Sequence, residues 1–233
     1  MQEISQIRKL SLWIFLIPFL AINSCLLISQ NFEFLENTIF AVDQIGRSKF
    51  SLPYLDGSLS ISRASRTFPQ YLIFKPSMIL TAILLFFYWK NNNDFINKLN
   101  LTNINHKFKT FGILSAFFLV IHSILLGVEF EIKIFKLLRR LVLLAFIIFE
   151  IIAQGFLVYH LFKIKNKIIK LINDKILLFK IILVSILSIV AILSLPILID
   201  KGNTHFKHAL EWNYFLGVII FYLFSRFFWK RTT

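Results

Sequence analysis

A single cysteine, Cys25, stands in the whole sequence, so an intrachain disulfide is excluded. Glycine and proline are scarce, at 7 and 5 residues, and no glycine-rich phosphate cradle is formed from them. No nucleophile elbow, no HExxH pattern and no similarly specific catalytic signature is present. No segment of roughly 20–50 residues repeats, and no low-complexity linker divides the chain. Acidic residues are also few, 12 against 26 Lys and Arg. What fills the sequence instead is hydrocarbon. Hydrophobic residues make up 57% of it and mean hydropathy is +0.73, above the about 45–50% apolar content of soluble domains.

The apolar residues are gathered into six runs, at about 10–29, 71–89, 111–128, 141–161, 177–199 and 209–229. Each is close to the roughly 20 residues that cross roughly 30 Å of hydrocarbon as a helix. Trp13, Trp89, Trp212 and Trp229 lie near run ends, where an interfacial aromatic belt belongs. The fold class expected is therefore all-α: a polytopic transmembrane helix bundle of six spans in a single domain, 1–233. Ile22-Asn23-Ser24-Cys25 weakly matches a lipoprotein cleavage box, but Asn23 fits that box poorly. A retained first span is the expectation.

The net charge of +14 would point to nucleic acid in a soluble chain. Here the cations sit between the apolar runs, where they fix orientation and meet anionic headgroups, and no nucleic-acid partner is expected. With the N-terminus inside, the inner segments carry 15 of the 26 Lys and Arg and only 3 acids. The densest tract, Lys163, Lys165, Lys167, Lys170, Lys175 and Lys180, falls on that side. Both termini are thus expected to be cytoplasmic. Heavy use of Phe, Ile, Leu, Lys and Asn points to an AT-rich genome, and in a bacterium the membrane would be the inner one.

The longest piece outside the runs is the first outer loop, 30–70. Phe32, Leu35, Ile39, Phe40 and Val42 have roughly helical spacing, so a short helix on the outer membrane surface is expected. The stretch from Pro53 to Pro69 is rich in turn formers. Asp56-Gly57 signals a turn, and Ser58, Ser60 and Ser62 alternate with Leu59 and Ile61 in a strand-like pattern. Arg63 and Arg66, three apart, are placed to fork a phosphate or carboxylate. The alternative for these residues is plain: arginines touching headgroups and Asp56 capping a turn.

Pro53-Tyr54-Leu55-Asp56-Gly57, then Ser60-Ile61-Ser62, Pro69 and Phe74, together with six spans, resemble the DRAM/FRAG superfamily. That group includes damage-regulated autophagy modulators and a Golgi factor of GPI-anchor remodelling. Pro53 stands further from Ser60-Ile61-Ser62 than the family pattern places it. The resemblance implies a lipid-related or membrane-organising role and carries over no catalytic residue.

Within the runs, Glu150 is the outstanding group, because a carboxylate near mid-membrane is expensive unless neutralised or paired. Gln154, four residues on, shares its helix face. His122 in the third run is the partner expected by depth, either as interhelical glue or as an acid/base pair. His205, His208, Glu211, Trp212 and Asn213 open the sixth run. A metal there would need a third ligand, Asp200 or Asp56, and the simpler account is a helix start with Trp212 at the interface. His122 and His160 differ in depth and do not suit a haem. No metal and no cofactor is expected.

Three functions follow. The first is a lipid-binding or membrane-organising protein, with Asp56, Ser60, Arg63, Arg66, Gln154 and Asn213 as ligand-binding candidates. The second is a lipid-modifying enzyme with Glu150, His122 and Glu211 as catalytic candidates. The third is a small transporter with Glu150 lining its path, against which stands the lack of an inverted repeat. Partners expected are membrane lipids, with a homo-oligomer or another membrane protein also open.

Overall fold

The structure, a computed structural model, describes residues 2–99, 106–128, 133–199 and 202–230. Six long helices dominate it: α1 (Gln2–Gln30), α4 (Gln70–Lys98), α5 (Lys107–Leu125), α6 (Lys133–Ile168), α7 (Asp174–Ile199) and α8 (Thr204–Phe228). Two short helices, α2 (Pro53–Asp56) and α3 (Ile61–Ser65), lie between α1 and α4. No strand occurs among the described residues.

Helices are what such sequences must form, since in hydrocarbon every backbone N–H and C=O has to be bonded within its own segment. Polar side chains inside them follow the same logic. The hydroxyls of Ser11, Thr81, Ser123 and Ser188 donate to the carbonyls of Ile7, Ser77, Leu119 and Val184, each four residues back.

Five helices, α1, α4, α5, α6 and α7, are long and apolar enough to cross a membrane. The eighth falls short because its first half carries His205, Lys207, His208, Glu211 and Asn213. It is nevertheless walled on both sides, by α1 and by α7. Neighbour contacts run α1–α4–α5–α6–α7–α8 and back to α1, a closed ring. Its centre is filled by Tyr88, Trp89, Phe108, Phe221 and Tyr222, none more than 1% exposed.

One end of the ring gathers the start of α1 and the close of α8. Lys98 at the close of α4 pairs with Glu3. Phe95 packs edge-on against Trp229 at 4.9 Å. Trp229 bridges Ile172, and Lys230 N donates to Leu171 O at 2.9 Å. The opposite end carries the loop 31–69.

Two local expectations are corrected there. The Phe32–Phe50 stretch forms no surface helix, only 3-10 turns at Phe32–Leu35 and Gln44–Gly46, with Val42 turned inward at 2% exposure. The alternating Ser58–Ser62 stretch is no strand. Ser60 caps α3, its Oγ accepting from Arg63 N at 3.1 Å, and an N-cap hydroxyl of this kind starts a helix whatever the apolar alternation.

Candidate functional site

Two polar clusters stand in the bundle, one at the loop end and one deep inside. In the first, the segment from Pro53 to Ser65 is stitched to the start of α8. Trp212 Nε1 donates to Leu59 O at 2.7 Å, and Asn213 Nδ2 to Tyr54 O at 2.7 Å. His208 Nδ1 meets Gly57 O at 3.0 Å. The ring of Tyr54 lies edge-on to Trp212, with centroids 4.9 Å apart, while its hydroxyl donates to Asn23 Oδ1 of α1 at 3.2 Å. Burial raises the Tyr54 phenol above its ordinary value. Glu211 turns its carboxylate to the N–H groups of Ile61 and Ser62 at the start of α3, a place where helix amides have no partner of their own.

Close approach sets the residue types. Gly57 has φ 59°, and a Cβ there would run into the His205 carbonyl. Asp56 accepts from Ser58 N at 2.8 Å and from Leu52 N at 2.9 Å, and these bonds hold its carboxyl below its ordinary value, the Ser58 contact most. Asp56 and Ser60 are thus engaged in local capping. Arg63 is exposed and reaches Ile45 O at 3.3 Å through Nε. Arg66 Nε and Ser65 Oγ are buried with no hydrogen-bond partner.

The second cluster centres on Glu150, which is 0% exposed. Ser115 Oγ of α5 donates to its Oε2 at 2.5 Å, and Gln154 Nε2 to its Oε1 at 3.0 Å. Tyr222 of α8 donates its hydroxyl to the same Oε1. Gln154 also reaches Val218 O of α8 at 3.3 Å. The Trp89 indole Nε1 is buried with no hydrogen-bond partner. His122 takes no part. It lies two turns along α5 from Ser115, about 10 Å by helical rise, and its Nδ1 has no partner.

Residues that sequence reasoning passed over extend this cluster. Lys180, 1% exposed, points into the ring, with Phe221 and Phe228 over its ammonium at 4.1 and 5.2 Å. Its Nζ donates to Ser225 Oγ at 2.8 Å, and that oxygen lies 3.0 Å from the Tyr88 hydroxyl. The rings of Tyr88 and Tyr222 stand edge-on, 5.0 Å between centroids.

No family model, no curated protein and no solved structure matches the chain. The site is therefore read on its chemistry alone. Glu150 and Glu211, two of the three catalytic candidates, serve different clusters, each already satisfied by donors of the protein. Among the described residues, no group of three His, Cys, Asp or Glu gathers as a metal site. Asp200, the other ligand considered with Asp56, lies outside the described residues.

Proposed function

We propose that the chain is a six-span membrane protein that binds lipid headgroups at its loop end and organises the bilayer around it. The observation that carries this reading is the surface of the loop. Phe34, Ile39, Phe50 and Leu55 stand 81–85% exposed, in a segment that also holds Arg47, Lys49, Arg63 and Arg66. Apolar side chains mixed with cations suit the boundary between acyl chains and headgroups. The rigid seat of the loop on α1, α4 and α8 supports the same reading, because it fixes where those side chains stand.

In this reading α8 is the sixth span. Its polar first half faces the loop and its apolar second half lies within the ring. The end gathering the start of α1 and the close of α8, rich in lysine, is cytoplasmic in this reading. Membership of the DRAM/FRAG superfamily stays a proposal on the same footing, carried by Pro53, Ser60-Ile61-Ser62 and Pro69. The test is phospholipid retention by protein purified in mild detergent. The double variant Arg63→Ala, Arg66→Ala should elute with less phospholipid than the parent. Equal retention by both would remove the headgroup role.

A further inference from the structure

A cavity of about 460 Å³ opens between the close of α4 and the start of α5, at the end of the ring opposite the loop. Asn93 and Asn97 line it from α4, one turn apart. From α5 come Lys109, Thr110, Ile113 and Leu114, with His106 just ahead of that helix. Positions 106, 109, 110, 113 and 114 recur at spacings of three and four and share one helix face. The cavity changes character along that face. Its mouth is polar, and its floor is apolar, ending at Leu114 about 7.5 Å beyond Lys109 by helical rise.

The mouth holds donors in excess of acceptors. His106 donates its Nδ1–H to Asn93 Oδ1 at 2.7 Å, since an amide oxygen can only accept. That bond fixes the Asn93 amide, and among the described residues its NH2 group has no acceptor, although the side chain is only 5% exposed. A donor so deep ordinarily has a partner. Lys109 makes no ion pair among the described residues, and no acid lines the cavity. An ammonium, an amide NH2 and the Thr110 hydroxyl around one volume suit an oxyanion with several acceptor oxygens, such as a phosphate diester.

We propose that this cavity is a second lipid site, which holds the phosphate of an anionic phospholipid on Lys109, Asn93 and Thr110 and the start of an acyl chain on Ile113 and Leu114. A free phosphate would use the mouth and leave the apolar floor uncovered, whereas a lipid covers both. One cation with no acid beside it selects a headgroup of net negative charge, because a choline headgroup brings a cation of its own. The leaflet fits as well. Lys98, Lys107 and the tract from Lys163 to Lys175 lie at this end, and lysine-rich ends face anionic lipid. The site uses no loop residue, so it stands or falls apart from the site at the loop end.

Native mass spectrometry of the whole protein in mild detergent tests this, with Arg63→Ala and Arg66→Ala present throughout so that the loop end does not contribute. Titrated with phosphatidylglycerol, this background should bind lipid about tenfold more tightly than with phosphatidylcholine. Adding Lys109→Ala should weaken phosphatidylglycerol binding about tenfold, the effect of one lost charge-assisted hydrogen bond. Thr110→Trp, at an exposed position where the new ring fills the mouth, should do the same and serves if Lys109→Ala fails to fold. Lys107→Ala, which removes a lysine outside the cavity, should bind as the background does. Inorganic phosphate at the lipid's concentration should not compete. Equal weakening by Lys107→Ala and Lys109→Ala would overturn the proposal, because the charge of this end alone would then explain the binding. So would equal binding of the two lipids, no binding of phosphatidylglycerol, or its displacement by inorganic phosphate, which would make the ligand a free anion.

Discussion

Gly112 and Gly155 make a matched pair for the packing of the ring. Both are helical, one on α5 and one on α6. A Cβ added at Gly112 falls onto the indole of Trp89, whereas at Gly155 it meets only Val184 Cγ1 at 3.7 Å, an ordinary contact. Helix propensity alone favours Gly→Ala by about 1 kcal/mol at either place. At Gly112 that gain is opposed by overpacking, about 1–3 kcal/mol in a core that can adjust. This core has little freedom, since Trp89 is hemmed in by Tyr88 at 5.1 Å and by Phe108 and Tyr222 at 6.4 Å each. Moving α5 away also loosens Ser115, one turn on, from Glu150. A hydrogen bond to such a group contributes about 1.5–3 kcal/mol. Gly112→Ala should therefore destabilise by about 2–4 kcal/mol net, and Gly155→Ala should be neutral or stabilising by up to about 1 kcal/mol. Unfolding in mixed micelles by added SDS, followed by tryptophan fluorescence, reads both. Equal stability of Gly112→Ala and the parent would refute the placement of α5 against Trp89.

The loop end offers further outcomes. Trp212→Phe keeps an aromatic ring edge-on to Tyr54 but leaves the Leu59 carbonyl without its donor. It should loosen the loop by about 1–3 kcal/mol, seen as faster protease cleavage between α1 and α4. Gly57→Ala should do so more strongly, because positive φ and the His205 carbonyl both oppose a side chain there. The Asp56 carboxyl is held low by the N–H groups it accepts from, so its contribution is present above its unfolded value of about 4 and is lost as pH falls through the lower folded value. Amide exchange at Ser58 should accelerate over that acid range in the parent and show no such step in Asp56→Asn.

Much of this architecture is legible in the sequence, and the reasons are local. A run such as 177–199 announces a membrane helix by length and oiliness. Asp56-Gly57 announces a turn, and Glu150 with Gln154 announces a shared helix face. What could not be read depends on distance along the chain. The partners of Glu150 are Ser115, 35 residues before it, and Tyr222, 72 after it. Depth alone pointed to His122, which the register of α5 leaves two turns away. Lys180 counts as one more cytoplasmic cation until Phe221 and Phe228 are seen folded over it. The signal available was its place three residues inside the fifth run, deeper than the other lysines of that tract. The Ser58–Ser62 alternation misled because a capping hydroxyl and the seat on α8 outweigh a five-residue pattern.

The ring places the first and last described residues at one end, Lys98 on Glu3 and Trp229 on Ile172, and requires α8 to run the full depth of the bundle. Single cysteines introduced before α1, after α8 and at Ser58 in a Cys25→Ser background, labelled with an impermeant maleimide in sealed, oriented vesicles, test this directly. The two terminal positions should react from the same side and Ser58 only from the other. Reaction of the two termini from opposite sides would contradict the proposed sixth crossing.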